Sequence, residues 1–297
     1  IETLRLTGAS TAVLGDAAEA AGINTVIVGN DNTSITWNGG GVLTIEADAL
    51  PDEKTLTIAG TGSITITGLK ANLVSTADGG DISVTTADVS TLSIDFGTGS
   101  NGAREVDALA MTAGDVLTLT GSQDVTITSD DADINASSYA GAITASVTNA
   151  AAATFQIGTA AAEITKAGNG ALTIDADAGG GTAGALTIKG SGAGDILVTG
   201  AESSVTLDDG FTGTGLVRVT TADVATLTVA LGTSTTGTRE VNALAMTAGD
   251  LLTLTGSDAV TITSDDADIN ASAYAGAITA SVTNAAAATF QIGTAAA

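Results

Sequence analysis

The chain predicts an all-β fold, a parallel β-helix or β-solenoid built of tandem repeats of about 130–135 residues. Three observations carry this reading. First, Arg104–Ala162 and Arg239–Ala297 are one text of 59 residues with five substitutions. These are Asp107/Asn242, Val116/Leu251, Gln123/Asp258, Asp124/Ala259 and Ser138/Ala273. Self-similarity at a fixed period is the mark of a repeat architecture. Second, aliphatic residues alternate with Thr or Ser over short runs. Third, aromatic residues make up only 2% of the chain.

The likeness extends beyond the near-identical block. Asp81–Val89 reads against Leu216–Val224, and Val42–Asp48 against Ala171–Asp177. Thr25–Gly29 reads against Thr154–Gly158, and that text returns at Thr289–Gly293. This organises the chain as the tail of a preceding repeat (1–24), repeat one (25–153), repeat two (154–288) and the start of a third (289–297). The expectation is an excerpt from a longer array, or a protomer whose ends meet those of its neighbours.

The strand runs are explicit. Thr55-Leu56-Thr57-Ile58, Ile64-Thr65-Ile66-Thr67, Leu117-Thr118-Leu119-Thr120 and Val125-Thr126-Ile127-Thr128 alternate with period two. That period places aliphatics on one face and Thr on the other. β-Branching favours the extended backbone for both classes. The runs stop at Gly, Asn-Gly or Asp-Gly, among them Gly60, Gly121, Asn38-Gly39 and Asn169-Gly170; such residues make tight turns. A short helix is expected over Gly15–Ala21 with Asp16 as N-cap, and Pro51 falls in a polar loop.

Many short strands fit a solenoid or a string of β-sandwich domains. The scarcity of large aromatics, the uneven spacers and the drift in repeat length favour the solenoid. With roughly 20 residues per coil the chain would make about 15 coils stacked at about 4.8 Å, or about 70 Å.

Composition excludes several functions. The net charge is −25, with four Lys and four Arg in 297 residues. Phosphate binding needs clustered cations, so nucleic acid is not expected as a partner. Cys and His are absent, which removes disulfides, thiolate nucleophiles and the commonest general base. No apolar run reaches the length of a membrane span, so no membrane insertion is expected. No basic segment precedes an apolar stretch, so no signal peptide is visible.

The densest acidic text is Ser129-Asp130-Asp131-Ala132-Asp133-Ile134-Asn135, repeated as Ser264-Asp265-Asp266-Ala267-Asp268-Ile269-Asn270. Asp131, Asp133 and Asn135 alternate, and so do Asp266, Asp268 and Asn270. In an extended segment this puts three oxygen ligands on one side. Ca²⁺ takes six to eight such oxygens. Asp130, Asp131, Asp133, Asn135, Asp265, Asp266, Asp268 and Asn270 are therefore candidate Ca²⁺ ligands; the alternative is a solvated acidic turn. It is not an EF-hand, because Ala136 stands where the turn Gly belongs. Asp115 and Asp250 each follow Ala-Gly before a strand and read as turn closers. The Thr-x-Thr rows suggest an ice-binding face, or simply good β residues on a solvated one.

Several phrases resemble the RTX-type and S-layer-like surface proteins of bacteria. Ile1-Glu2-Thr3-Leu4-Arg5-Leu6-Thr7-Gly8 is similar to a phrase that recurs in them, as is Ile134-Asn135-Ala136-Ser137-Ser138-Tyr139-Ala140-Gly141-Ala142-Ile143-Thr144. Gly190-Ser191-Gly192-Ala193-Gly194-Asp195-Ile196-Leu197 resembles a degenerate Ca²⁺-binding nonapeptide, with Ser191 and Ala193 in place of glycines. This adds Asp195 to the candidate ligands. The resemblance implies a secreted, cell-surface, Ca²⁺-dependent structural protein.

The function expected is therefore non-enzymatic: a repeat segment of a surface layer, sheath, filament or adhesin stalk. Its partners would be copies of itself and cell-surface polysaccharide. Asp131 and Asp133 are too close along the chain to flank a sugar as acid and base. The alternatives are a glycan- or ice-binding adhesin module and a polysaccharide-acting β-helix enzyme.

Overall fold

A computed structural model describes residues 2–99, 101–177, 181–233, 237–283 and 286–293. Ile1 and residues 294–297, which belong to the opening phrase and the expected third repeat, lie outside these. The fold is a parallel β-solenoid. It divides into two compact units, Ile1–Thr144 and Ala145–Ala297.

In the first unit, successive strands alternate between two sheets. One sheet holds Glu2–Arg5, Ile23–Ile27, Val42–Glu46, Ser63–Leu69, Ile82–Thr86, Arg104–Ala108 and Val125–Ser129. The other holds Ser10–Leu14, Thr33–Trp37, Thr55–Gly60, Asn72–Ser75, Thr91–Asp95, Val116–Thr120 and Asp133–Asn135. Each strand pairs in parallel with the next but one, as coils of a solenoid must. Hairpins of a sandwich would pair consecutive strands antiparallel.

Parity decides what faces in. Along Val26, Ile45, Ile66, Val84, Val106 and Ile127 each residue stacks on the one a coil below. All six are buried. Each buried aliphatic side chain contributes about 1.5–3 kcal/mol by leaving water. Thr and Ser take the outer positions, as Thr44, Thr65 and Ser83 do. Coil length varies with the turns: Leu56 stacks on Leu73, but Leu92 on Leu117.

The second unit repeats the plan. Ala153–Gln156, Leu172–Asp175, Ile196–Ala201, Leu216–Thr221, Thr238–Ala243, Val260–Ser264 and Ile278–Val282 form one sheet. Ala162–Lys166, Leu186–Gly190, Val205–Leu207, Thr226–Ala230, Leu251–Thr255, Asp268–Ala271 and Phe290–Ile292 form the other. The copied text thus changes sides. Thr154-Phe155-Gln156 pairs with Thr173-Ile174-Asp175 in the first of these sheets. Its copy at Phe290–Ile292 pairs with Ile269–Ala271 in the second. Copies fall on opposite sheets because their separation holds an odd number of strands, which is a half-integral number of coils.

The short helix is present as Asp16–Ala20. Its N-cap is Gly15 rather than Asp16, and no side chain caps it; Asp16 sits in the first turn, where a carboxylate favours the helix dipole. Trp37 is fully buried, its Nε1 donating to the Gly41 carbonyl at 3.0 Å. Glycine makes its room: a Cβ on Gly39 or Gly62 would lie 2.3 Å from the indole ring.

Candidate functional site

Two groups of polar residues need an account: the acidic turns at the corners and the cations buried in a core of aliphatics. The acidic turns come first because they hold the candidate ligands. Asp130 and Asp131 lie in the turn after Val125–Ser129, half-buried. Asp133 and Asn135 face outward on the strand Asp133–Asn135, with Ile134 pointing in. Asn135 Oδ1 accepts from the Ser137 N–H at 3.2 Å and the Ser137 hydroxyl at 2.8 Å. Asn270 does the same with Ser272, at 3.1 and 2.6 Å. Each Asn therefore closes the turn that ends its strand.

The aspartates reach to the next coil. Asp266 Oδ1 accepts from the Ala286 N–H at 2.9 Å, and Asp268 Oδ1 from the Thr289 N–H at 2.6 Å. Asp265 is half-buried beside Asp266 in the same turn. Asp195 Oδ1 accepts from the Leu216 N–H at 2.9 Å. The device recurs outside the predicted set. Asn32 accepts from Thr55, Asp81 from Ala103, Asp124 from Ala142 and Asn169 from Ala193, with 18 to 24 residues between partners. At the corners the strand ladder is interrupted, and backbone donors there need acceptors. A carboxylate or amide from the coil before supplies one.

The predicted ligands are thus strung along strands and turns rather than gathered. Among the described residues no three carboxylates converge on a point where a cation could sit. Asp115 Oδ2 accepts from the Thr112 N–H at 2.6 Å and from its hydroxyl at 3.0 Å; Asp250 repeats this with Thr247. Both close turns, as their position before a strand implies.

The buried cations are the residues that sequence reasoning missed. Arg104, Lys166 and Arg239 are each at most 1% exposed. All three occupy inward positions of their strands, the two arginines as rungs of aliphatic ladders. Arg104 stacks between Ile82 and Val125, and Arg239 between Val217 and Val260. Strand parity was the available signal. Arg104 is in phase with Val106 and Ala108, and Lys166 with Ala162 and Ile164.

Each cation donates to main-chain oxygens, and Arg104 to four of them. Arg104 Nη1 donates to the carbonyls of Gly80 at 2.9 Å and Ala103 at 3.0 Å. Its Nη2 donates to Ala77 at 3.4 Å and Asn101 at 3.1 Å. Lys166 Nζ donates to the Gly168 carbonyl at 2.5 Å. Buried Asn149 does likewise toward Ala151 and Ala171, at 2.7 and 2.8 Å. Inward carbonyls at a corner are costly without a donor, and these side chains provide it. Burial pushes the Arg104 and Lys166 pKa values down, opposed by nearby Tyr139 and Asp81 in the first case and Asp195 in the second.

Arg239 differs in one respect. Its Nε lies 3.0 Å from Asp258 Oδ2, and its guanidinium carbon 5.4 Å from the centre of the Phe211 ring. Burial raises the Asp258 pKa, and Arg239 opposes the rise. Tyr274 donates its hydroxyl to the Asp258 carbonyl, as Tyr139 does to Gln123. Burial raises both tyrosine pKa values. These groups hold the fold together. None of them combines an accessible nucleophile with a base in hydrogen-bond reach, the arrangement acyl or glycosyl transfer needs.

In comparisons with protein-family models, with curated proteins and with solved structures, the chain matches none.

Proposed function

We propose that the chain is a structural repeat segment of a secreted bacterial surface protein, serving as stalk, sheath, filament or layer. The observation that carries this is the change of sheet between copies. Phe155 and Phe290 begin from the same text and lie in opposite sheets of the second unit. A one-sided binding face, such as an ice plane, needs every repeat to present the same side. A half-coil step defeats that, yet leaves axial stacking intact because both sheets stack on the same spacing. The outer Thr row of the first unit is also broken, by Glu105 between Ser83 and Thr126.

Stacking has a visible template. Phe155 and Ile157 are buried, while Phe290 and Ile292, in the same text, are 37% and 66% exposed. A coil of a second copy seated on them would bury the same apolar area. The RTX-like and S-layer-like phrases agree with this reading. On that resemblance the protein would work outside the cell, with copies of itself and cell-surface polysaccharide as neighbours.

Calcium has a limited part in the proposal. Asp195, Asp266 and Asp268 each hold a backbone N–H with one carboxylate oxygen, and among the described residues no three carboxylates gather. Divalent ions would act by screening a net charge of −25. The test is electron microscopy of the purified chain at rising concentration, with and without chelator. Rods that lengthen by end-to-end stacking are expected. Isolated particles at every concentration, or turnover of an acidic polysaccharide, would sink the reading.

A further inference from the structure

The chain contains three Asn-Gly steps: Asn38-Gly39, Asn101-Gly102 and Asn169-Gly170. The solenoid treats them differently. The Gly170 N–H donates to the Asn149 carbonyl at 2.9 Å, and Asn169 Oδ1 accepts from Ala193 at 3.2 Å. Gly39 is buried against the Trp37 ring, and Asn38 Oδ1 accepts from Thr61 at 3.3 Å. Asn101 and Gly102 are both exposed. Gly102 has a φ of +89°, and its N–H donates to no acceptor among the described residues. Asn101 Nδ2 donates to Asp78 Oδ1 at 3.3 Å.

We propose that Asn101 is a site of spontaneous deamidation in the folded protein, and that Asn38 and Asn169 are protected. The Gly102 nitrogen gives up its proton to solvent base and attacks Asn101 Cγ. A new N–C bond forms, the Cγ–Nδ2 bond breaks, and Nδ2 takes up a proton and leaves as ammonia. Water then opens the five-membered imide at either carbonyl, leaving aspartate or isoaspartate. Water is the only co-reactant, and nothing is oxidised or reduced. Attack needs a free N–H and room for the side chain to swing onto the main chain. Asn101 and Gly102 are both exposed to solvent, and the Gly102 N–H has no acceptor among the described residues. At Asn169 the nucleophilic N–H is held by Asn149, and at Asn38 the glycine is packed against the indole.

The modification has a structural readout. The Asn101 carbonyl accepts from Arg104 Nη2 at 3.1 Å, one of four carbonyls around that buried guanidinium. Isoaspartate adds a methylene to the main chain at that point and moves the carbonyl away. The damage therefore reaches the core through Arg104.

The experiment ages the intact folded chain in mildly alkaline buffer beside a sample held unfolded in urea. Mass spectrometry of the three Asn-Gly peptides follows the gain of one mass unit. When folded, the Asn101 peptide is expected to react several times faster than the other two; in urea the three converge. Equal rates in the folded sample, or a lead by Asn38 or Asn169, overturn the proposal. Asn101→Gln should abolish the mass gain and keep its melting temperature on ageing while the parent chain melts earlier. Equal melting of the two aged samples overturns the link to Arg104. None of these outcomes depends on whether the chain assembles.

Discussion

Arg239 and Asp258 form an ion pair inside the core, 3.0 Å from Nε to Oδ2, both side chains at most 5% exposed. In the other copy the matching arginine is Arg104, and the position matching Asp258 holds Gln123, also buried. Two of the five differences between the copies, Gln123/Asp258 and Asp124/Ala259, move a carboxylate by one position. In the turn before the strand that is a move from an exposed position to a buried one. Asp124 is exposed and holds the Ala142 N–H, whereas Asp258 is buried beside its arginine. Near-identical texts thus solve the problem of a buried guanidinium in two ways.

The pair should respond unequally to substitution. Asp258→Ala leaves Arg239 buried without its counter-ion and should cost about 3 kcal/mol or more. Gln123→Asp gives Arg104 a counter-ion and should raise stability. Urea titrations of the two variants check this. Loss of stability in Gln123→Asp would mean that the carbonyl ring already neutralises Arg104.

The acidic turns make a separate prediction. Asp195→Ala removes an acceptor from the Leu216 N–H and should cost about 0.5–1.5 kcal/mol. Asp195→Asn keeps an acceptor oxygen and should cost less. Because the role is to hold a backbone donor, added Ca²⁺ should not rescue the alanine variant. Rescue by Ca²⁺ in a melting experiment would instead point to a metal ligand.

The solenoid was legible in the sequence because period-two alternation and a long repeat survive without any tertiary information. Its coil register was not. Strands as short as Asp133–Asn135 and Val205–Leu207 disappear into neighbouring turns. The number of strands per repeat, and with it the change of sheet, therefore could not be counted from the text. The acidic residues were conspicuous, but their partners lie one coil away, at separations that shift with every turn. The buried cations were hidden by the opposite habit of reading Arg and Lys as surface residues, although the parity of Arg104 with Val106 and Ala108 already placed it inside.

Trp37 tests the packing directly. Gly62→Ala would set a Cβ 2.3 Å from the indole, a clash that backbone shifts relieve only at a cost of about 1–3 kcal/mol. Pairing it with Trp37→Leu should recover part of that loss, since the smaller side chain frees the space. Denaturation of the two single variants and the double closes the cycle. Additive losses would show that Gly62 and Trp37 do not compete for the same volume.

Lys166 sets the expected response to alkali. Burial holds its pKa below the ordinary lysine value, against the pull of Asp195. The folded chain therefore binds fewer protons at this group than the unfolded chain once the pH passes the depressed value. Stability from this residue must rise with pH until the unfolded lysine also loses its proton, at about pH 10.4. Below the depressed value the buried ammonium carries its full desolvation cost, offset in part by the Gly168 carbonyl. Lys166→Met removes the charge and keeps most of the volume, so it should stabilise the chain at neutral pH or leave it unchanged. Its advantage over the parent chain should shrink as the pH is raised. Melting both across the alkaline range decides the matter: an advantage for Lys166→Met that grows with pH would show that the ammonium is not the source of the cost.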